Sequence, residues 1–156
     1  MPFDGFCLPG SPLARLLEAD RLLTQERRAA VLLRRKPRTP GEAQARRVAQ
    51  ARASIVALDL LVELFAGGEN WIQGDFEDDG GYCLVGGLRH IRTGLKSRDR
   101  AGLYLSQAIA RTTGARQSLI NFNDGNNGSR RTYPDIRLVI RCARKLARRA
   151  ADGKTA

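Results

Sequence analysis

The sequence is poor in the residues that most catalytic and metal-binding proteins rely on. It has one histidine, one tryptophan, one methionine and three cysteines in 156 residues, and aromatics make up 6%. Cys7, Cys83 and Cys142 are scattered and odd in number, which argues against a disulfide framework and fits reduced thiols. No CxxC or HxxxH pair anchors a zinc shell, so no metal and no cofactor is expected. The lone histidine, His90, is seven residues from Cys83. On one straight helix their Cα atoms would lie about 10 Å apart, too far for a nucleophile–base pair. Serine triads need a histidine as well. Walker and dinucleotide fingerprints are absent. No apolar run is long enough to span a bilayer, and "MPFDGFCLPG" lacks the basic start and apolar run of a signal peptide. The expectation is a cytoplasmic protein without membrane association.

What is present is charge of one sign. Hydrophobic residues at 42% and charged residues at 28% suit a single soluble domain with a core, yet the net charge is +11. Nine basic residues and one acidic lie between Arg27 and Arg52, and eight basic and one acidic between Arg130 and Arg149. Six acidic residues and no basic one lie between Glu63 and Asp79. Such a surplus points to a polyanionic partner, nucleic acid or an acidic protein surface. A solvated arginine-rich surface would have the same composition.

Glycine and proline divide the chain into helices. The first is expected from the Ser11-Pro12 cap to about Arg35, with Leu13, Leu16, Leu17 and Leu23 toward one side. The second is expected from Pro40 to "FAGG", with Val48, Ala51, Ile55, Leu58, Val62 and Phe65 at three- and four-residue steps. Together they would form an antiparallel hairpin over 11–66 whose turn carries Arg34, Arg35, Lys36 and Arg38, and whose helices offer a surface for homo-oligomerisation. An irregular acidic loop with Trp71 follows. A third helix is expected from Tyr82 to Leu95, with Cys83, Gly87, His90 and Gly94 along one side and Gly86 alongside. Three glycines weaken a helix by about 1 kcal/mol each relative to alanine. A neighbouring backbone or a ligand must therefore approach that side.

A fourth helix is expected from Ser97 to Thr113, stopped by Gly114. "SLINF" reads as a short strand or extended connector, and "NDGNNGSRR" as a loop. Thr132 and Asp135 form a capping-box-like start for the last helix. That helix divides into an apolar face, Ile136, Val139, Ile140, Ala143, Leu146 and Ala147, and a basic one. The tail 151–156 should fray.

Three sites can be weighed on residue chemistry. Cys83 near a helix start would have its thiolate favoured by the helix dipole, or would be a small packing residue. Asp75, Glu77, Asp79 and Gly80 imitate the opening of a calcium loop, but the twelfth position, where a bidentate glutamate belongs, is Gly86. The basic face of the last helix, with Arg137, Arg141, Arg144, Lys145 and Arg148, spans about three turns and can track phosphates or dock on an acidic groove.

The stretches "NWIQGDFEDDGGYCLVGGL" and "INFNDGNNGSRRTYPDIRLVIRCARKLA" resemble a family of small uncharacterised bacterial proteins, common in actinobacteria. Its pattern is a tryptophan with a nearby Gln-Gly, an acidic turn, a Cys-x-x-Gly-Ala-Leu helix start and a Trp- or Phe-Asn-Asp segment before a final helix. That pattern falls here on Trp71, Gln73, Gly74, Cys83, Gly86, Leu88, Phe122, Asn123 and Asp124, within about residues 58 to 147. Gly87 departs from it, since the family carries alanine there. The family is a domain of unknown function, so the resemblance implies no activity. It implies a place: Trp71, Gln73, Cys83, Asn123 and Asp124 would converge, with His90 nearby, in a small polar pocket between two helix starts. The alternative is that Asn123 and Asp124 tie loop backbone groups together.

The sequence is therefore expected to form one all-α, single compact domain over 11–150. It would have about five helices, an N-terminal helical hairpin plus three more, with little or no strand, after a leading segment 1–10. The leading functional expectation is a non-enzymatic basic module that contacts nucleic acid or an acidic protein through its last helix. The alternative is a small hydrolase or transferase whose pocket holds Cys83 and the Asn123-Asp124 loop, the two candidate catalytic residues being Cys83 and Asp124.

Overall fold

The computed structural model describes residues 39–125 and 131–153. The expected leading segment 1–10 with Cys7, the expected first helix and so one arm of the expected hairpin, and the last three residues of the expected tail lie outside the described residues. Within them the fold is all-α, with five helices and one minimal hairpin.

Helix α1 runs Pro40–Leu64. The Thr39 hydroxyl accepts from the Glu42 amide at 3.2 Å, and Pro40 occupies the first turn, where its missing N–H is not needed. Its buried seam is Ala51, Ser54, Leu58, Leu61 and Phe65, joined by Ala57. This seam is rotated from the expected stripe, and Val48, Ile55 and Val62 sit half-buried at its edge. Ser54 can occupy the core because its hydroxyl donates to the Gln50 carbonyl at 2.8 Å within the helix.

After a tight turn the acidic segment folds into a hairpin, β1 (Glu77–Asp78) and β2 (Gly81–Tyr82), paired Glu77 with Tyr82 and Asp78 with Gly81. Asp79 at φ 44° and Gly80 at φ 79° supply the two left-handed residues of a type I′ turn. Helix α2 follows over Leu84–His90. It is shorter than expected. Ile91 leaves the helix at ψ 133°, and the Arg98 guanidinium donates to the Arg89 carbonyl at 2.7 Å. Gly94 is thus not on α2; it is the extended N-cap of α3 (Leu95–Thr113), which ends at left-handed Gly114.

"SLINF" is neither strand nor connector. Leu119–Asp124 form a short helix, α4, capped by the Ser118 hydroxyl, which accepts from the Asn121 amide at 3.0 Å. A short apolar run does not distinguish strand from helix by period, and here the cap decides. Asn123 and Asp124 therefore belong to a helix end, not to a loop. Helix α5 (Tyr133–Ala151) opens with the Asp135 carboxylate accepting from the Thr132 amide at 2.9 Å. It buries the six apolar residues read from its sequence.

Helices α1, α3 and α5 pack pairwise into a three-helix core, and α2 and α4 join α1 and α3 beside it. The glycines of α2 explain its position. A Cβ on Gly87 would stand 2.6 Å from Leu61 of α1, and one on Gly86 would stand 1.7 Å from the Phe76 carbonyl oxygen. The close approach expected of that helix comes from the hairpin backbone on one side and the core on the other. None of these helices is long and apolar enough to cross a membrane.

Candidate functional site

The motif residues meet around one buried amide. Asn123 is fully buried, and each polar atom of its side chain is used twice. Its Oδ1 accepts from Trp71 Nε1 at 2.8 Å and from the Leu84 amide at 3.2 Å. Its Nδ2 donates to the Ile72 carbonyl at 3.0 Å and to Asp124 Oδ1 at 2.9 Å. Two donors and two acceptors are the full capacity of an asparagine side chain, and the partners fix which end is oxygen. The Leu84 amide is one of the orphan donors that begin α2, so Asn123 caps that helix from a distance of 39 residues.

The neighbours extend the network. Asp124 Oδ1 also accepts from the Gly74 amide at 3.0 Å. Gln73 Nε2 donates to the Asn123 carbonyl at 2.7 Å and to the Arg131 carbonyl at 3.4 Å. Trp71 lies 6.3 Å from Tyr133 between ring centroids, and Tyr133 meets Phe65 edge-on at the same spacing. The Arg131 guanidinium stacks over Phe122 at 4.7 Å. Residues far apart in sequence are thereby locked to each other through side chains, which add to the main-chain bonds of the 69–75 segment: its bridge to Tyr82, and the Asn70 and Trp71 amides back to the Phe65 and Gly68 carbonyls.

Cys83 stands at the edge of this network and is 4% exposed. Its sulfur accepts from the Gly86 amide at 3.3 Å, so the thiol is the N-cap of α2. Asn123 and Cys83 each take one amide of that helix start, Leu84 and Gly86 respectively. The two helix starts expected to face each other are replaced by one helix start, α2, and one helix end, α4. The asparagine side chain sits between them.

His90 is not part of this cluster. It is exposed at the far end of α2, with its ring centroid 4.3 Å from that of Tyr82 and its Nε2 3.4 Å from the Tyr82 hydroxyl. Loss of hydration, reinforced by the charge and hydrogen bond of Glu77, holds the Tyr82 phenol above its ordinary value. Among the described residues no group of three or more His, Cys, Asp or Glu side chains is arranged to hold a metal ion.

On α5, Arg137, Arg141, Lys145 and Arg148 are exposed, as is the adjoining Arg149. Arg144 differs: it leans back onto α1, where its guanidinium reaches Asp59 at 2.6 Å. The internal neutralisation of this face comes from α1, not from the acidic segment. Sequence reasoning passed over the Asp-Gly turn of the hairpin and the Ser118 cap of α4. Both were legible as local signals, the first as a type I′ dipeptide and the second as a serine three residues before Asn121.

A family model described as a family of unknown function, DUF6197, matches residues 14–146. No curated protein matches, and no solved structure matches.

Proposed function

We propose, for this chain that belongs to the DUF6197 family of unknown function, a non-enzymatic role as a basic helical module that grips the phosphate backbone of nucleic acid through α5. The observation that carries the reading is the row of exposed cations Arg137, Arg141, Lys145 and Arg148, one per turn or nearly so, on the face opposite the buried one. Eleven residues of helix place the first and last about 16 Å apart. That reach spans several phosphates of one strand, which are spaced about 3.4 Å along the axis. Aromatics do not belong to the row: Trp71 and Tyr133 are half-buried in the network, Phe122 is in the core, and exposed Phe76 lies beside the hairpin under the Arg89 guanidinium. Base stacking is therefore not supported, and contact with the backbone is.

The test is duplex and single-strand binding across a salt series. Four phosphate contacts give a slope of log K on log salt of about −4, or about a hundredfold weakening between 50 and 200 mM salt. The double charge reversal Arg141→Glu with Arg148→Glu should abolish it while leaving the fold intact. Absence of binding at low salt overturns the reading, and binding to an acidic polypeptide under the same conditions would transfer the face to a protein partner.

The alternative, a hydrolase or transferase built on Cys83 and Asp124, has less support. The Cys83 sulfur is buried against a helix start, and the Asp124 carboxylate is occupied by Gly74 and Asn123.

A further inference from the structure

One cation of α5 is held out of the row. Arg141, Arg144 and Arg148 follow one another at three- and four-residue steps, the spacing that makes side chains neighbours on a helix. Arg141 and Arg148 are exposed and make no ion pair among the described residues. Arg144, between them, turns back to α1, where its Nη2 meets Asp59 Oδ1 at 2.6 Å.

The geometry of that pair is weak. A guanidinium holds a carboxylate or a phosphate most firmly through two parallel N–H bonds. Arg144 Nε, a donor of that fork, is buried and has no hydrogen-bond partner among the described residues. An unmet buried donor opposes the attraction of the charges. The two side chains are still 32% and 40% exposed, so water and salt screen them and an outside anion can reach them. The pair is not needed to join the helices, because α1 and α5 each bury an apolar seam that contains neither residue. Its partner choice is also particular. Glu63, one turn further along α1, is exposed and makes no ion pair among the described residues.

We propose, on the reading of α5 as a phosphate-binding face, that Asp59 is an internal competitor of phosphate that withholds Arg144 from that face and so weakens its grip on a nucleic-acid backbone. With Arg144 turned away, Arg141 and Arg148 stand seven residues apart, about 10 Å along the axis, with a gap between them. A backbone laid over the gap offers oxygens to the guanidinium that Asp59 already holds. Each such contact forms at the expense of the carboxylate contact, so the exchange adds little affinity. The face then binds more weakly, and with a shallower salt dependence, than its full set of cations would give.

The test is the binding of DNA and RNA duplexes of one mixed sequence to the full chain, read by fluorescence anisotropy across a salt series. Asp59→Asn frees Arg144 and should bind several-fold tighter at low salt. Its slope of log K on log salt should be steeper by about 0.9, the signature of one added phosphate contact. Asp59→Ser should do the same. Arg144→Gln in the Asp59→Asn background should remove the gain, because the gain is that of a released guanidinium. Glu63→Gln removes an equal charge one turn away without releasing a cation, and should leave the slope unchanged. Exposed ion pairs contribute little to stability, so these variants should stay folded, which thermal unfolding checks. Unaltered binding in both Asp59 variants overturns the proposal. So does a gain that persists without Arg144, or an equal gain in Glu63→Gln. If the parent binds and Arg141→Glu with Arg148→Glu abolishes binding, those results refute the role of Asp59 alone. A parent that binds neither duplex at low salt refutes both this role and the α5 reading.

Discussion

The amide at position 123 offers the sharpest test of how this fold is held. In Asn123→Ala the Leu84 amide and the Trp71 indole lose their acceptor, the Ile72 carbonyl loses its donor, and Asp124 keeps only the Gly74 amide of its two. The Leu84 site is completely buried, so its amide bears a full desolvation penalty of about 1–3 kcal/mol. Trp71 and Ile72 are half-buried, and water entering the vacated space relieves part of theirs. The sum is about 3 kcal/mol, a large share of the 5–15 kcal/mol typical of a domain. At about 2–4 °C per kcal/mol for a chain of this size, the midpoint should fall by about 10 °C. Urea unfolding followed by circular dichroism measures it directly. Asn123→Asp is the sharper variant. It keeps the oxygen facing Trp71 and Leu84 but sets a second oxygen where Nδ2 now lies 3.0 Å from the Ile72 carbonyl and 2.9 Å from Asp124. Burial and the neighbouring carboxylate would raise the new acid's pKa in the folded state above its unfolded value of about 3.9. The fold then favours the protonated form, so the variant should be weakest at neutral pH and recover as pH falls toward 4. A loss under 1 kcal/mol in the alanine variant, or a pH-flat difference between parent and aspartate variant, refutes the account of Asn123 as the node.

Three further expectations follow from particular contacts. Gly86→Ala drives a Cβ into the Phe76 carbonyl at 1.7 Å and should cost about 3 kcal/mol or more, whereas Gly94→Ala, with nothing closer than 3.8 Å, should be near neutral; matched unfolding curves decide. Peptide mapping after brief maleimide treatment should find Cys142 modified before Cys83, because Cys83 is buried and its sulfur is engaged; faster labelling of Cys83 would revive it as a nucleophile. The Tyr82 phenol should titrate above its ordinary value in ultraviolet difference absorbance, and Glu77→Gln should bring it partway down, since burial is the larger cause. The fold holds the neutral phenol, so stability contributed there falls as pH rises past about 10; an unshifted titration would show the hydroxyl is fully hydrated.

Local chemistry determined much of what the sequence revealed. The last helix was legible to its buried residues because its apolar and basic faces alternate at the helical period and its start carries a cap. The starts and stops at Thr39-Pro40 and Gly114 were legible because caps act on the residues beside them. The glycines of α2 announced a close approach but not its source: whether backbone, side chain or ligand fills the space is a property of the neighbour. The same limit applies to charge. Arg137, Arg141, Arg144, Lys145 and Arg148 share one helical face in sequence. Only tertiary packing removed Arg144 to Asp59. The motif residues pointed to a meeting place, but not to what they do there. A buried asparagine takes its role from donors and acceptors on two other segments, and hydrogen bonds act through space at about 3 Å, a distance that separation along the chain does not encode.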